Sequence, residues 1–296
     1  MEWIKTILYG IIERITEWLP VSSTGHLILA EKYLNMGIDE SFLELFRVVI
    51  QLGAILAVVV LFFPKLWPFC ADKSKGYIKK NTWVMWFKIV VATLPAMVLG
   101  LLLDDWLEEH LYNYVVVAAM LILYGVFFIL IENRHKKPRI QSIDQLTYKD
   151  ALIIGFWQVL AMIPGTSRSG ATIVGGLLLG ASRPVAAEFT FFLAIPVMFG
   201  ASALKVGKYL MEGMVFTGEQ LAVLGLGCAV AFVVSVLSIG FLMNFVKKHD
   251  FKVFGWYRIA LGIVVLAAAL LGLLAAAAES KQRKRTSGRG RVFSLR

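Results

Sequence analysis

Six apolar runs decide the fold class of this chain before any motif is considered. They lie at 45–63, 84–103, 114–131, 186–204, 220–245 and 254–278. Each holds roughly 20 residues, the length a helix needs to cross the ~30 Å hydrocarbon core of a bilayer. Hydrophobic residues make up 58% of the 296, where a soluble domain has about 45–50%. The chain reads as an all-α polytopic membrane protein. Its formal net charge of +10 would elsewhere point to nucleic acid. Here Lys and Arg gather in short segments between apolar runs, as membrane topology requires, so nucleic acid is excluded as a partner. Cys70 and Cys228 form no CxxC pair and show no metal-ligand spacing. Glu2 and Lys5 ahead of a helical pattern give no signal-peptide layout.

Two polar stretches interrupt this apolar background. In residues 4–19, Ile4, Ile7, Leu8, Ile11, Ile15, Trp18 and Leu19 form one helical stripe, and Glu2, Thr6, Tyr9, Glu13, Thr16 and Glu17 the other. Roughly 16 residues is short for a span, and Pro20 stops the pattern. A further short apolar piece, 26–34, follows. The spacing predicts a re-entrant helical hairpin, whose polar turn is tolerated only inside protein or against water. Residues 151–163 and 171–180 flank Pro164-Gly165-Thr166-Ser167-Arg168-Ser169-Gly170 in the same way and predict a second hairpin.

Lys and Arg are dense in segments 64–83, 132–150 and 246–253, which places these in the cytoplasm. The loop 104–112, with Asp104, Asp105, Glu108 and Glu109, and the loop 205–219 then lie outside. This puts the first hairpin outside and lets the second enter from inside. The two halves share an order of hairpin then three spans. Pro20-Val21-Ser22-Ser23-Thr24-Gly25 matches Pro164-Gly165-Thr166-Ser167-Arg168-Ser169, and Gly10 with Glu13 matches Gly155 with Gln158. Three spans per half is an odd number, so the second copy is inverted. Residues 1–278 are thus expected to be one membrane domain, with 1–140 as the first repeat and 141–278 as the inverted second. Broken helices of inverted halves meet near the midplane. The tail 279–296 is basic, low in complexity and on the wrong side for this count. It is expected to be disordered and a cloning remnant.

The two turns carry the chemistry. Glu13 and Glu17, at i and i+4, share a helix face. Two carboxylates in an apolar surround call for a hard divalent cation, Mg²⁺ or Ca²⁺, or else line a water crevice or pair with Arg14. Ser22, Ser23 and Thr24 precede a helix start, where one serves as a cap. A serine near His26 suits an activated nucleophile with the imidazole as general base. The Gly- and hydroxyl-rich turn before 171 offers backbone N–H groups to an anion, and Arg168 adds a planar cation suited to phosphate. Gln51, Glu188 and Arg258 rank lower, the last two near enough to span ends to snorkel.

At these motifs the chain resembles the undecaprenyl-diphosphate phosphatase family, also called bacitracin-resistance protein. The resemblance covers essentially 1–278. It rests on Glu13-xxx-Glu17-Trp18-Leu19-Pro20-Val21-Ser22-Ser23-Thr24-Gly25-His26, on Pro164 to Gly170, and on Val49-Ile50-Gln51-Leu52-Gly53. It implies a multi-pass enzyme of the bacterial inner membrane, acting at the outer face. That enzyme removes one phosphate from a polyprenyl diphosphate, recycling the lipid carrier for cell-wall synthesis. It further implies metal on Glu13 and Glu17, catalysis by Ser23, His26, Glu17 and Arg168, and a divalent cation cofactor. Phosphate binding is expected at Thr24, Gly165, Thr166, Ser167, Arg168 and Ser169. Membrane lipids are expected partners, and a homo-oligomer is compatible with the sequence. Arg14 departs from the family pattern, which has Gly between the glutamates; a cation there can compete with metal. Two other readings were weighed. A polyprenyl-lipid transporter or flippase also uses inverted repeats and broken helices. The acid-phosphatase pattern of Arg followed six residues later by His fails, because residue 174 is Val.

Overall fold

The computed structural model describes residues 2–30, 40–69, 78–134, 137–213 and 216–272. The expected tail and the cationic middle of segment 64–83 lie outside these. The helices, in chain order, are α1 (Glu2–Trp18), α2 (Ser23–Ala30), α3 (Glu40–Val49), α4 (Gln51–Leu61), α5 (Phe63–Leu66), α6 (Lys80–Leu111) and α7 (Tyr114–Asn133). After a 3₁₀ turn at Ile143–Gln145 come α8 (Tyr148–Leu160), α9 (Arg168–Leu178), α10 (Arg183–Met211), α11 (Gly218–Lys248) and α12 (Lys252–Leu270). Among the described residues the only β features are two isolated bridges, Phe69 with Ile78 and Ile140 with Ala181. Among the described residues, six helical segments are long and apolar enough to cross a membrane: Phe42–Leu61, which combines α3 and α4, then Lys80–Leu103 of α6, α7, α10, α11 and α12.

The spans correspond to the six apolar runs, with two corrections. The acidic segment 104–112 is not a loop, because α6 continues to Leu111; likewise α10 continues through the expected loop to Met211. At 32 residues α6 is about 48 Å long, well beyond the hydrocarbon core. Charge ends an apolar run without ending a helix, since Glu and Lys are good helix formers. Both α6 and α10 run through an internal proline, Pro95 and Pro196. Side-chain caps set other boundaries. Asn113 accepts from the Val116 N–H at 3.0 Å to start α7, and Thr147 with Asp150 forms a capping box at α8.

Helix α1 is inside out relative to a soluble helix. Its polar stripe is buried, with Thr6, Tyr9, Glu13 and Thr16 inside, while Ile4, Leu8 and Ile15 are exposed. That arrangement suits hydrocarbon outside and a polar interior. Elsewhere Phe87, Leu101, Leu102, Phe199 and Leu237 also point outward.

The packing is reciprocal. Helix α1 packs on α11 and α8 on α6; α2 meets α12 and α9 meets α7; α7 lies along α12. Gly125 and Gly255 permit this last approach, since a Cβ on either would come within 2.8 Å of the other's carbonyl oxygen. Trp18, at the end of α1, is fully buried against Phe191 of α10, edge to face at 5.3 Å. This anchors the first turn in the core that holds the second.

Candidate active site

The turn after each short helix has the same backbone. Ser22 and Ser167 both carry positive φ, +72° and +70°, which costs a non-glycine residue of order 1 kcal/mol or more. Each lies immediately before a helix and caps it: Ser22 Oγ accepts from the Gly25 N–H at 3.5 Å, and Ser167 Oγ from the Gly170 N–H at 3.3 Å. The register of the two turns is therefore Ser22 with Ser167, Ser23 with Arg168 and Gly25 with Gly170. The alignment expected from Pro20 and Pro164 is one residue out, because Pro-x-x and Pro-Gly-x-x turns reach the same cap with different lengths. The corrected offset of 145 also joins Glu13 to Gln158, so one register serves both matches.

This register brings two side chains from opposite halves onto one carboxylate. Arg168 donates from Nη2 and Nε to Glu17 Oε1, at 3.1 and 3.2 Å. Ser23 Oγ donates to Glu17 Oε2 at 3.3 Å. Arg168 also lies over the Trp18 ring, 5.8 Å from its centroid, and its Nη1 reaches the Thr190 carbonyl at 3.4 Å. Its side chain keeps 11% of its surface, and that of Glu17 keeps 17%. The pair is therefore shielded without being sealed, which suits ligand exchange.

The other expected phosphate-binding residues divide by what they touch. Ser169 Oγ donates to the Glu17 carbonyl at 2.9 Å, tying the second turn to the end of α1. Ser167 Oγ lies 3.2 Å from Ser169 Oγ. Gly165 has φ +92°, and a Cβ there would meet the Val117 carbonyl oxygen at 2.4 Å; only glycine fits. Thr166 is fully buried, and its hydroxyl has no hydrogen-bonding partner among the described residues. Thr24 is half-buried beside Ser23.

His26 is held by other partners than Ser23. Its Nδ1 donates to the Ser22 carbonyl at 2.7 Å, and Nε2 accepts from the Tyr257 hydroxyl at 2.7 Å. The two rings stack with centroids 5.6 Å apart. Tyr257, on α12, was not singled out by sequence, where a tyrosine beside Trp256 at a span end reads as an interfacial anchor.

Arg258 is the larger omission. Sequence placed it near enough to a span end to snorkel, and Glu188 likewise. Instead Arg258 is fully buried, and its guanidinium donates to Pro20 O at 3.1 Å, Gly165 O at 2.9 Å and Thr166 O at 2.8 Å. One side chain thus gathers the carbonyls of both turns, over the face of Tyr124 at 5.6 Å. A lone Arg within an apolar segment was the available signal. Glu188 is buried and ion-paired with Lys65 at 2.6 Å.

Glu13 is buried and ion-paired with the fully buried Arg14, so Arg14 takes one carboxylate oxygen. Its other oxygen, Oε2, is buried with no hydrogen-bonding partner among the described residues. An orphaned carboxylate oxygen one turn from Glu17 is a donor suited to a hard cation. No group of three or more His, Cys, Asp or Glu side chains able to hold a metal occurs among the described residues. Glu13 and Glu17 would give a cation two carboxylates and leave most of its shell to other oxygens such as water, a coordination that Mg²⁺ commonly takes.

Comparison with known proteins gives the family. The family model described as bacitracin resistance protein BacA matches residues 6–264. An undecaprenyl-diphosphatase of Desulfitobacterium hafniense is 58% identical over 269 residues, covering 90% of this chain and 95% of that protein. One from Enterococcus faecalis is 56% identical over 264 residues, covering 88% and 95%. One from Latilactobacillus sakei is 53% identical over 270 residues, covering 90% and 98%. The chain belongs to the bacitracin resistance protein BacA family.

Proposed function

We propose that this chain hydrolyses undecaprenyl diphosphate to undecaprenyl phosphate and inorganic phosphate, recycling the lipid carrier for cell-wall synthesis and giving bacitracin resistance. Relatives at 53–58% identity carry that activity in their names. The observation that carries the reading within this chain is the convergence of Ser23 and Arg168 on the Glu17 carboxylate.

On this reading α1–α2 and α8–α9 are two re-entrant hairpins, and residues 1–140 and 141–278 are halves of an inverted repeat. The shared 145-residue register, the paired positive-φ caps and the reciprocal packing support it. The Lys/Arg distribution favours an inner-membrane protein whose first hairpin faces outward.

The contacts support the following chemistry. Arg168 shifts N–H donors from Glu17 to the terminal phosphate, with Thr24 beside it. Gly165, Thr166, Ser167 and Ser169 shape the second turn that presents the arginine. Glu17, released from the guanidinium, accepts the Ser23 proton as Ser23 Oγ attacks the terminal phosphorus. The bond to the bridging oxygen breaks, and Glu17 passes its proton to the departing carrier phosphate. In the second step Glu17 takes a proton from the water that adds to phosphorus and returns it to the leaving Ser23 Oγ. His26, locked between Ser22 and Tyr257, holds the first turn in place. Glu13 and Glu17 would hold Mg²⁺ or Ca²⁺, which supplies charge neutralisation on the diphosphate. The test is phosphate release in detergent with Mg²⁺, with Ca²⁺ and with chelator, together with acid-quench trapping of phosphorylated Ser23. Metal-dependent release with label on Ser23 is expected. Absence of release under every cation would sink the assignment.

A second reading, a polyprenyl-lipid carrier, is favoured by the reciprocal packing of broken helices. It predicts lipid movement across vesicles by a Ser23→Ala protein that releases no phosphate.

A further inference from the structure

A cavity of about 620 Å³ opens where α7 and α11 end and α10 begins, and none of its lining residues belongs to the Glu17–Arg168 site. Its floor is apolar, with Ile131, Leu177 and Val246, and its rim carries Arg134, Lys137 and Lys247. The frame around it is built. Arg139 is fixed by Asp150 at 2.6 Å and by the Leu179 carbonyl at 2.7 Å. The Ser182 N–H donates to Ile140 O at 2.8 Å, and the Ile140 N–H to Gly180 O at 3.0 Å, stitching two connections into one wall.

The charges in this cavity do not balance internally. Its single lining carboxylate, Glu132, is taken up by Arg183 at 2.6 Å and by the Phe251 N–H at 3.0 Å. Arg134, Lys137 and Lys247 have no ion-pair partner among the described residues and are exposed. Three uncompensated cations over an apolar floor match a phosphate group joined to a hydrocarbon body. The cavity also lies at the common end of three spans, the level at which lipid headgroups sit.

We propose that this cavity binds the phosphodiester headgroup of an anionic phospholipid, with Arg134, Lys137 and Lys247 on the phosphate and the acyl region against Ile131 and the exposed Leu178. The site is separate from the hydrolytic one, since none of its lining residues touches Glu17 or Arg168.

Native mass spectrometry of the full chain in detergent tests this with phosphatidylglycerol, phosphatidylcholine of the same acyl chains, and excess inorganic phosphate as probes. Phosphatidylglycerol is expected to be retained over phosphatidylcholine. Each of Arg134→Gln, Lys137→Gln and Lys247→Gln should weaken that retention about fivefold. Retention of phosphatidylcholine and hydrolysis of undecaprenyl diphosphate in detergent should stay unchanged. Equal retention of the two lipids, or variants that keep the preference, would overturn the proposal. Full displacement of phosphatidylglycerol by inorganic phosphate would overturn it in favour of a free-anion site. Should Arg134→Gln or Lys137→Gln lose its fold, Lys247→Gln alone carries the same comparison.

Discussion

Glu17 and Arg168 stand 151 positions apart in sequence and 3.1 Å apart in space, between Glu17 Oε1 and Arg168 Nη2. The contact joins the end of the first short helix to the start of the fourth-last, and Ser23 completes it from the other side at 3.3 Å. A carboxylate shared by a hydroxyl and a guanidinium can release one as it deprotonates the other. Ion pairs this shielded lose much of their Coulombic gain to desolvation, so the pair is weak evidence for stability.

On the proposed mechanism, Glu17→Gln removes the proton acceptor while keeping the shape of the side chain. Phosphate release should fall by about 10²–10⁴-fold, with a far smaller change in thermal stability. Single-turnover release and the detergent melting temperature, measured on the same preparation, check this.

Arg258→Lys keeps the buried charge but cannot reach Pro20, Gly165 and Thr166 together. Leaving at least one of those buried carbonyls unpaired should cost about 2 kcal/mol. Both the melting temperature and kcat should drop, although Arg258 touches backbone and not the reacting hydroxyl. Unchanged kcat would show that the two turns hold their positions without it.

Tyr257→Phe removes only the bond to His26 Nε2. A single hydrogen bond is worth about 0.5–1.5 kcal/mol, so kcat should fall less than about tenfold. His26→Ala also releases the Ser22 carbonyl and should cost more. Steady-state kinetics on the two proteins orders them.

Asp150, outside the six spans, links the α8 cap to Arg139. Burial works against its ionisation, but bonds from the Thr147 N–H and hydroxyl and from Arg139 outweigh this and hold its pKa below the ordinary carboxylate value. A depressed folded pKa gives stability that is present above the unfolded value, about 3.9, and lost as pH falls through the folded one. Asp150→Asn should therefore melt below the parent at pH 7, and the gap should close with acidification below about pH 4. Melting curves across that range decide it.

Much of this was legible in the sequence because hydrocarbon punishes polarity so strictly. Apolar run lengths gave six spans, and the polar turns at Pro20 and Pro164 stood out against them. Helix ends were less legible: Asp104 to Glu109 end a hydrophobic run but continue α6. The one-residue error between the turns arose because proline marks a turn's beginning, whereas the positive φ at Ser22 and Ser167 fixes its end. Arg258 was visible as a charge but its partners are backbone carbonyls, which leave no trace in side-chain patterning. The hold of Tyr257 on His26 spans 231 positions and has no local signature.

On the proposed function, the two turns act as one hydrolytic site across Glu17 and Arg168. A double-mutant cycle on phosphate release from undecaprenyl diphosphate, with Glu17→Gln, Arg168→Lys and the double variant, tests it most directly. Residues working as one unit are strongly non-additive. The double variant is expected to be no slower than the slower single one. Losses that multiply, so that the double variant carries the product of the two single defects, would contradict it.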